Sequence, residues 1–169
     1  GNLIEIDKNG NFLNNYYKEE DRPESGDIYK MVIGRTIKIC SVSSMIKKSV
    51  LEKLGYYDED LAYEDLDLWI RTSRDFEFEY IPEILAKKRI VSDSLSSHFL
   101  IKNNARAKKL NESTLKILVK AYHLNKTKDE YKALLGRIRF EMYKFIKAKH
   151  FKLLFKLFLL EIKVRLKSI

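Results

Sequence analysis

Apolar and polar positions fall into two regimes along the chain. Up to about residue 97, short apolar runs alternate with turn-rich stretches. Leu3-Ile4-Glu5-Ile6 and Phe12-Leu13 flank Asp7-Lys8-Asn9-Gly10, which predicts a β-hairpin around a glycine-containing turn. Residues 18–26 are charged and carry Pro23 and Gly26, which predicts a loop. Asp27 is placed to cap a short helix running through Ile33 and stopping near Gly34. Residues 36–45 are rich in β-branched side chains and read as a strand. Ser49 and Glu52 have capping-box spacing for a helix that closes at Gly55. A second helix is expected over residues 64–74. Phe76, Phe78 and Tyr80 alternate with Glu77 and Glu79, the period of a half-buried strand. Pro82 ends it, and residues 85–91 are expected to form another strand.

From about Ser97 onward the period becomes helical. Leu110, Thr114, Ile117, Ala121 and Leu124 recur at spacings of four and three. Thr127 and Glu130 form a second capping box, followed by an apolar stripe from Tyr131 through Ile146. A last helix is expected over residues 149–167. The fold class is therefore α/β up to residue 97, with a small sheet and helices, followed by an all-α extension over residues 98–169.

Charge sharpens this division. The 169 residues carry 33 Lys and Arg against 24 Asp and Glu, a net +9. Residues 1–100 sum to −5 and residues 101–169 to +14, an asymmetry that predicts two parts with different partners. A hydrophobic fraction of 45% fits a globular chain. The single cysteine, Cys40, excludes an internal disulfide and a multi-cysteine metal cluster and suits a reducing compartment. Within an apolar run it reads as a core residue. The chain opens in strand-like sequence without Met, as though cut from something longer, and with no signal-peptide pattern. Residues 151–166 are too short and too charged for a membrane span.

The densest chemistry lies between Gly55 and Arg71, which holds Asp58, Glu59, Asp60, Glu64, Asp65 and Asp67 together with the only tryptophan, Trp69. On a helix at about 100° per residue, Glu64, Asp67, Arg71 and Arg74 share one face, and Asp67 and Arg71 have ion-pair spacing. Asp65 lies roughly 160° from Asp67, on the side of Leu61, Leu68 and Thr72. Partial burial would raise its pKa and the helix N-terminus would lower it. A general base can be held in that way. Acids in a first turn also simply stabilise the helix macrodipole.

The order of several short motifs resembles the C-terminal half of family-2, GT-A-fold glycosyltransferases. It runs from Ser44-Met45-Ile46-Lys47-Lys48 through Leu54-Gly55-Tyr56-Tyr57-Asp58-Glu59 and Glu64-Asp65-Leu66-Asp67-Leu68-Trp69-Ile70-Arg71. It continues in Tyr80-Ile81-Pro82-Glu83, Arg89 and Ser94-Leu95-Ser96. The resemblance covers about residues 1–97. It implies that Asp65 is the catalytic base of an inverting transfer from a nucleotide-sugar, with Asp58, Glu64 and Trp69 on the acceptor side. It also implies a divalent cation, Mg or Mn, for the parent enzyme, with the donor-binding half and its Asp-x-Asp motif upstream of residue 1. Alone, this acceptor-side portion is expected neither to bind donor nor to turn over. Where the family often has a metal-binding His, two residues after the position of Arg89, this chain has Val91. His98, seven residues further on, reads mainly as a surface residue. No metal ligand is expected within the chain.

The implied setting is surface polysaccharide synthesis with a sugar or lipid-linked acceptor, in the cytoplasm. On the last helix, Lys149, Lys152, Lys156, Lys163 and Lys167 form a stripe about 60° wide beside a broad apolar face. Three readings stand open for it: packing on the other helices, lying in an anionic membrane interface, or self-association. Nucleic acid is disfavoured, because no reading motif is present. A basic helical module without catalysis is the alternative to the transferase.

Overall fold

The computed structural model describes residues 1–34, 39–92, 99–102 and 104–169. Its elements are β1 (Asn2–Ile6), β2 (Phe12–Asn15), α1 (Tyr29–Gly34), α2 (Lys48–Leu54), α3 (Asp65–Asp75), β3 (Ile84–Arg89), α4 (Ala105–Leu124), α5 (Lys128–Lys147) and α6 (Phe151–Ser168). The sheet has the order β2-β1-β3. β1 pairs antiparallel with β2, Ile4 opposite Asn15, and parallel with β3, Leu3 opposite Ala86. The parallel pair encloses α1, α2 and α3 in its connection. Among the described residues, no helix is long and apolar enough to cross a membrane.

The predicted hairpin forms because Asp7 organises its turn. Its carboxylate accepts the backbone N–H groups of Asn9 and Asn11, each at 2.8 Å, and the Asn11 side-chain amide at 2.9 Å. Arg89, at the end of β3, donates from Nη1 to the carbonyls of Asp7 and Lys8 and locks this turn to the far strand. Asp27 caps α1 as expected, its Oδ1 accepting from Tyr29 N at 3.0 Å.

Three local expectations are corrected. Residues 76–80 keep the expected alternation of burial but form no strand. Phe78 makes one bridge with Gly26, two backbone hydrogen bonds long, and Gly26, at φ +99°, turns the partner chain away. Part of the strand expected over residues 36–45 lies outside the described residues. Its later part is a 3-10 turn at Ser41–Ser43. There serine hydroxyls take backbone carbonyls, Ser44 Oγ that of Cys40 and Ser43 Oγ that of Gly1, which competes with a ladder. The capping box at Ser49 does not form. α2 starts at Lys48, two residues before the first helical position that a Ser49 cap implies, and its N-cap residue Lys47 has no side-chain cap.

One hydrophobic core spans the acidic and basic stretches. Val32 and Ile33 of α1, and Trp69 and Ile70 of α3, share it with Ile117 of α4, Leu134 and Ile138 of α5, and Leu157 and Val164 of α6. α1 approaches α5 closely because Gly34 has no Cβ; one added there would lie 3.3 Å from that of Ala133. The second capping box forms as predicted. Thr127 Oγ1 accepts from Glu130 N at 3.2 Å, and Glu130 Oε2 accepts from Thr127 N at 3.1 Å. The other oxygen of Glu130 takes Arg74 Nη1 at 2.7 Å. Arg74 lies over the ring of Tyr29, whose hydroxyl donates to Asn125 Oδ1 at 2.7 Å. Burial alone would push the Glu130 carboxyl pKa up. The N–H groups of Lys126 and Thr127 and the Arg74 guanidinium outweigh burial and hold it below its ordinary value.

Glu130→Ala removes the cap and leaves the half-buried Arg74 without its counter-ion, so it should cost about 2 kcal/mol in urea unfolding. Because the folded value is the lower one, Glu130 contributes stability above the unfolded pKa and loses it as pH falls. The gap between wild type and variant should therefore narrow below about pH 4.5.

Candidate active site

The site is built on the N-terminus of α3 and the loop before it. Glu64, exposed, is the N-cap residue, and Asp65 and Asp67 occupy the first turn, where their charge suits the macrodipole. Two residues apart on a helix, these acids point in different directions and meet different surroundings.

Asp67 is 1% exposed. Its Oδ2 accepts from Arg71 Nε at 2.8 Å, the expected i,i+4 pair, and its Oδ1 faces Lys120 Nζ at 2.9 Å. Arg71 also donates to the carbonyls of Leu54, Gly55 and Tyr56. It thereby holds the chain leaving α2 against α3. The face that Asp67 shares with Arg71 and Arg74 is thus turned into the protein.

Asp58 lies in the loop between α2 and α3. Its Oδ1 accepts from Asp60 N at 3.1 Å and its Oδ2 takes Lys120 Nζ at 2.6 Å. The Lys120 ammonium chiefly holds the Asp58 carboxyl below its ordinary value. Burial alone would pull the ammonium down, and the two carboxylates together raise it. The same loop is bound twice more to α4: Ala62 N donates to Ser113 Oγ at 2.8 Å, and the Tyr63 hydroxyl bonds Thr114 Oγ1.

Asp65 is half-buried. Its Oδ1 accepts from Leu66 N at 2.8 Å, and among the described residues it has no ion pair. Burial pushes its carboxyl pKa up; the Leu66 N–H opposes this and the neighbouring Glu64 charge adds to it. Tyr16 and Tyr63 both feel its charge. The Tyr16 phenol is raised to about 12, mainly by burial. Asp65 is therefore a half-buried carboxylate at a helix N-terminus, with no ion pair among the described residues.

Trp69 belongs to the core at 4% exposure, its ring T-shaped against Phe78. It lines a cavity of about 420 Å³ with Cys40, Val50, Thr72 and Tyr80. Trp69 Nε1, Thr72 Oγ1 and the Tyr80 hydroxyl are buried there without hydrogen-bond partners. Asp65 does not line this cavity. The structure thus gathers Asp58, Asp67, Arg71 and Lys120 into one network. It leaves Asp65 and Glu64 outside that network and Trp69 in the core. Cys40 is buried, as expected. Val91 is exposed, and His98 lies outside the described residues. Among the described residues, no three His, Cys, Asp or Glu side chains converge to hold a metal.

Sequence reasoning missed Lys120. It sits in the basic helical stretch, far along the chain from both acids, and no local spacing links them.

Comparison with known proteins finds similarity to an uncharacterized glycosyltransferase of Methanocaldococcus jannaschii, 30% identical over 115 residues that cover 62% of this chain. The chain is related to a glycosyltransferase. It spans 39% of that relative's length. No family model and no solved structure matches.

Lys120→Met should destabilise the fold by about 2 kcal/mol, because it leaves Asp67 buried with only one of its two cations. Asp58→Asn, at a partly exposed pair, should cost less than about 1 kcal/mol. Urea unfolding followed by the fluorescence of Trp69, the only tryptophan, measures both.

Proposed function

We propose that this chain is the acceptor-side part of an inverting, nucleotide-sugar-dependent glycosyltransferase of the family-2, GT-A kind, with Asp65 as its general base. The observation that carries the proposal is the contrast among three acids. Asp58 and Asp67 are neutralised by Lys120 and Arg71, while Asp65 has no ion pair among the described residues and is made more basic by burial. A base works best when its pKa moves toward the working pH while it stays ionised. The motif order and the glycosyltransferase relative support the same reading.

In the proposed reaction an acceptor hydroxyl attacks the anomeric carbon of the donor sugar. Its oxygen forms the new glycosidic bond as the bond from that carbon to the nucleoside diphosphate breaks. The proton of the hydroxyl passes to the Asp65 carboxylate. The half-buried surroundings limit competing hydration of that carboxylate, and the Leu66 N–H fixes one of its oxygens, leaving the other for the acceptor. Asp58 acts through Lys120 to hold the loop. Glu64, exposed at the N-terminus of α3, is assigned to the acceptor side, while Trp69 packs in the core and supports α3 from within. No ligand set for the implied divalent cation is present among the described residues, and in this reading the nucleotide-sugar belongs to the donor-binding half of the parent enzyme. A sugar or lipid-linked acceptor in surface polysaccharide synthesis is the proposed substrate setting.

The test uses the full natural protein that contains this sequence, assayed with nucleotide-sugars. Asp65→Asn should lower kcat by about 10²–10⁴-fold with little change in donor KM. The acid limb of the pH–rate profile, set above the ordinary Asp value, should vanish with it. Transfer at the wild-type rate removes Asp65 as the base. A stability control separates chemistry from folding. Burial raises the folded pKa of Asp65 above its unfolded value, so the ionised group opposes folding once the pH exceeds the unfolded value. Asp65→Asn should therefore melt no lower than wild type at neutral pH, with any lead shrinking as pH falls toward 4.

A further inference from the structure

The last helix is apolar on two opposite sides. Leu153, Leu157, Leu160 and Val164 point inward and are buried in the shared core. On the far side stand Phe151, Phe155, Phe158, Leu159, Ile162 and Leu166, with Phe151 63%, Phe155 62% and Leu166 71% exposed. At 100° per residue these six occupy an arc of about 100°, centred almost opposite the buried one. Six large apolar side chains in one continuous exposed face exceed the scattered apolar exposure of an ordinary surface.

The charges beside this face are all of one sign. Lys152, Lys156, Lys163 and Lys167 are exposed and form a stripe about 60° wide along one border of the arc. Among the described residues none of the four is in an ion pair. Arg165 stands on the other border. The only acid of α6, Glu161, is turned inward at 5% exposure, and Arg165 and Arg139 take its Oε1 at 2.8 and 3.4 Å. The outer surface of α6 is therefore an apolar strip with cations on both sides and no free carboxylate.

We propose that this face of α6 docks on an anionic lipid bilayer, lying in the headgroup interface with its phenylalanines inserted and its lysines against lipid phosphates. Charge complementarity selects this occupant. A second copy of the chain would bring cationic borders together. An antiparallel helix pair sets the lysine stripe against itself, and a parallel pair sets it against Arg165. A bilayer offers apolar depth beneath a negative surface, in the order that the helix presents its residues. Because the other side of α6 belongs to the core, the helix lies on the membrane as part of the folded protein. The docking does not depend on the transferase reading, and its test contains no sugar chemistry.

The experiment is flotation of the purified chain with vesicles of phosphatidylcholine alone and of phosphatidylcholine mixed with phosphatidylglycerol, at low and high salt. Binding is expected to the mixed vesicles only and to weaken as salt rises. Each Lys→Gln change among the four should lower partitioning roughly fivefold. Phe155→Glu combined with Phe158→Glu should abolish binding. Leu166→Asn, a milder change, should weaken it. All of these positions are exposed, so helical circular dichroism and melting should stay at wild-type values. Equal binding to neutral and anionic vesicles would overturn the proposal, as would no binding to either or full binding by the Lys→Gln variants. So would a vesicle-free dimer that the Phe variants dissociate, or displacement of bound vesicles by duplex DNA with no effect of the Phe variants.

Discussion

A carboxylate buried to 1% exposure cannot remain charged in a protein core without cations around it. Asp67 sets that condition for this molecule. Arg71, one turn on, meets half of it and at the same time collects three carbonyls from the chain between α2 and the acidic loop. Lys120, from a helix that follows the sheet, meets the other half and reaches Asp58 as well. The arrangement ties α2, the loop, α3 and α4 to one buried charge. Removing a cation affects all four, because the cost falls on the carboxylate left behind.

The same arrangement sorts the acids of the loop by chemistry. Asp58 and Asp67 spend their charge on structure. Asp65, two residues from Asp67 but on a different side of α3, accepts the Leu66 N–H and has no ion pair among the described residues, and burial makes it more basic. Asp58 and Asp65 thus acquire shifts of opposite direction from geometry alone, while Asp67 is fixed by two cations. Local composition would treat them as equivalent. In the proposed transferase this sorting lets a single carboxylate accept a proton at the mouth of a strongly acidic segment.

Legibility in the sequence followed the range of the interactions. Most features closed within a few residues were readable: the Asp7 turn, the Asp27 cap, the Thr127–Glu130 box and the Asp67–Arg71 pair appear as expected, and the Ser49–Glu52 box is the local exception. The separation of Asp65 from Asp67 followed from helical geometry. Features that depend on a distant partner were not readable. The alternation at residues 76–80 correctly marks which side chains are half-buried, yet a strand also needs a neighbour, and Gly26 supplies one residue pair. Ser43 and Ser44 looked compatible with a strand, but their hydroxyls donate to the carbonyls of Gly1 and Cys40. Lys120 read as one more charge on a basic helix because both its partners lie far back along the chain.

The charge asymmetry between the two stretches takes on a structural meaning from these contacts. The inward side of the basic helices supplies what the acidic stretch lacks: Lys120 for two carboxylates, Ser113 and Thr114 for the loop, and Glu130 for Arg74. Lys152, Lys156, Lys163 and Lys167 instead stand exposed beside the apolar strip of α6, in no ion pair among the described residues. A chain selected only for folding would have little reason to keep four lysines aligned along such a strip, since each repels its neighbours. Their alignment makes sense if the compensating charge lies outside the protein. The helices that hold Asp65 in position then also orient it relative to whatever carries that charge.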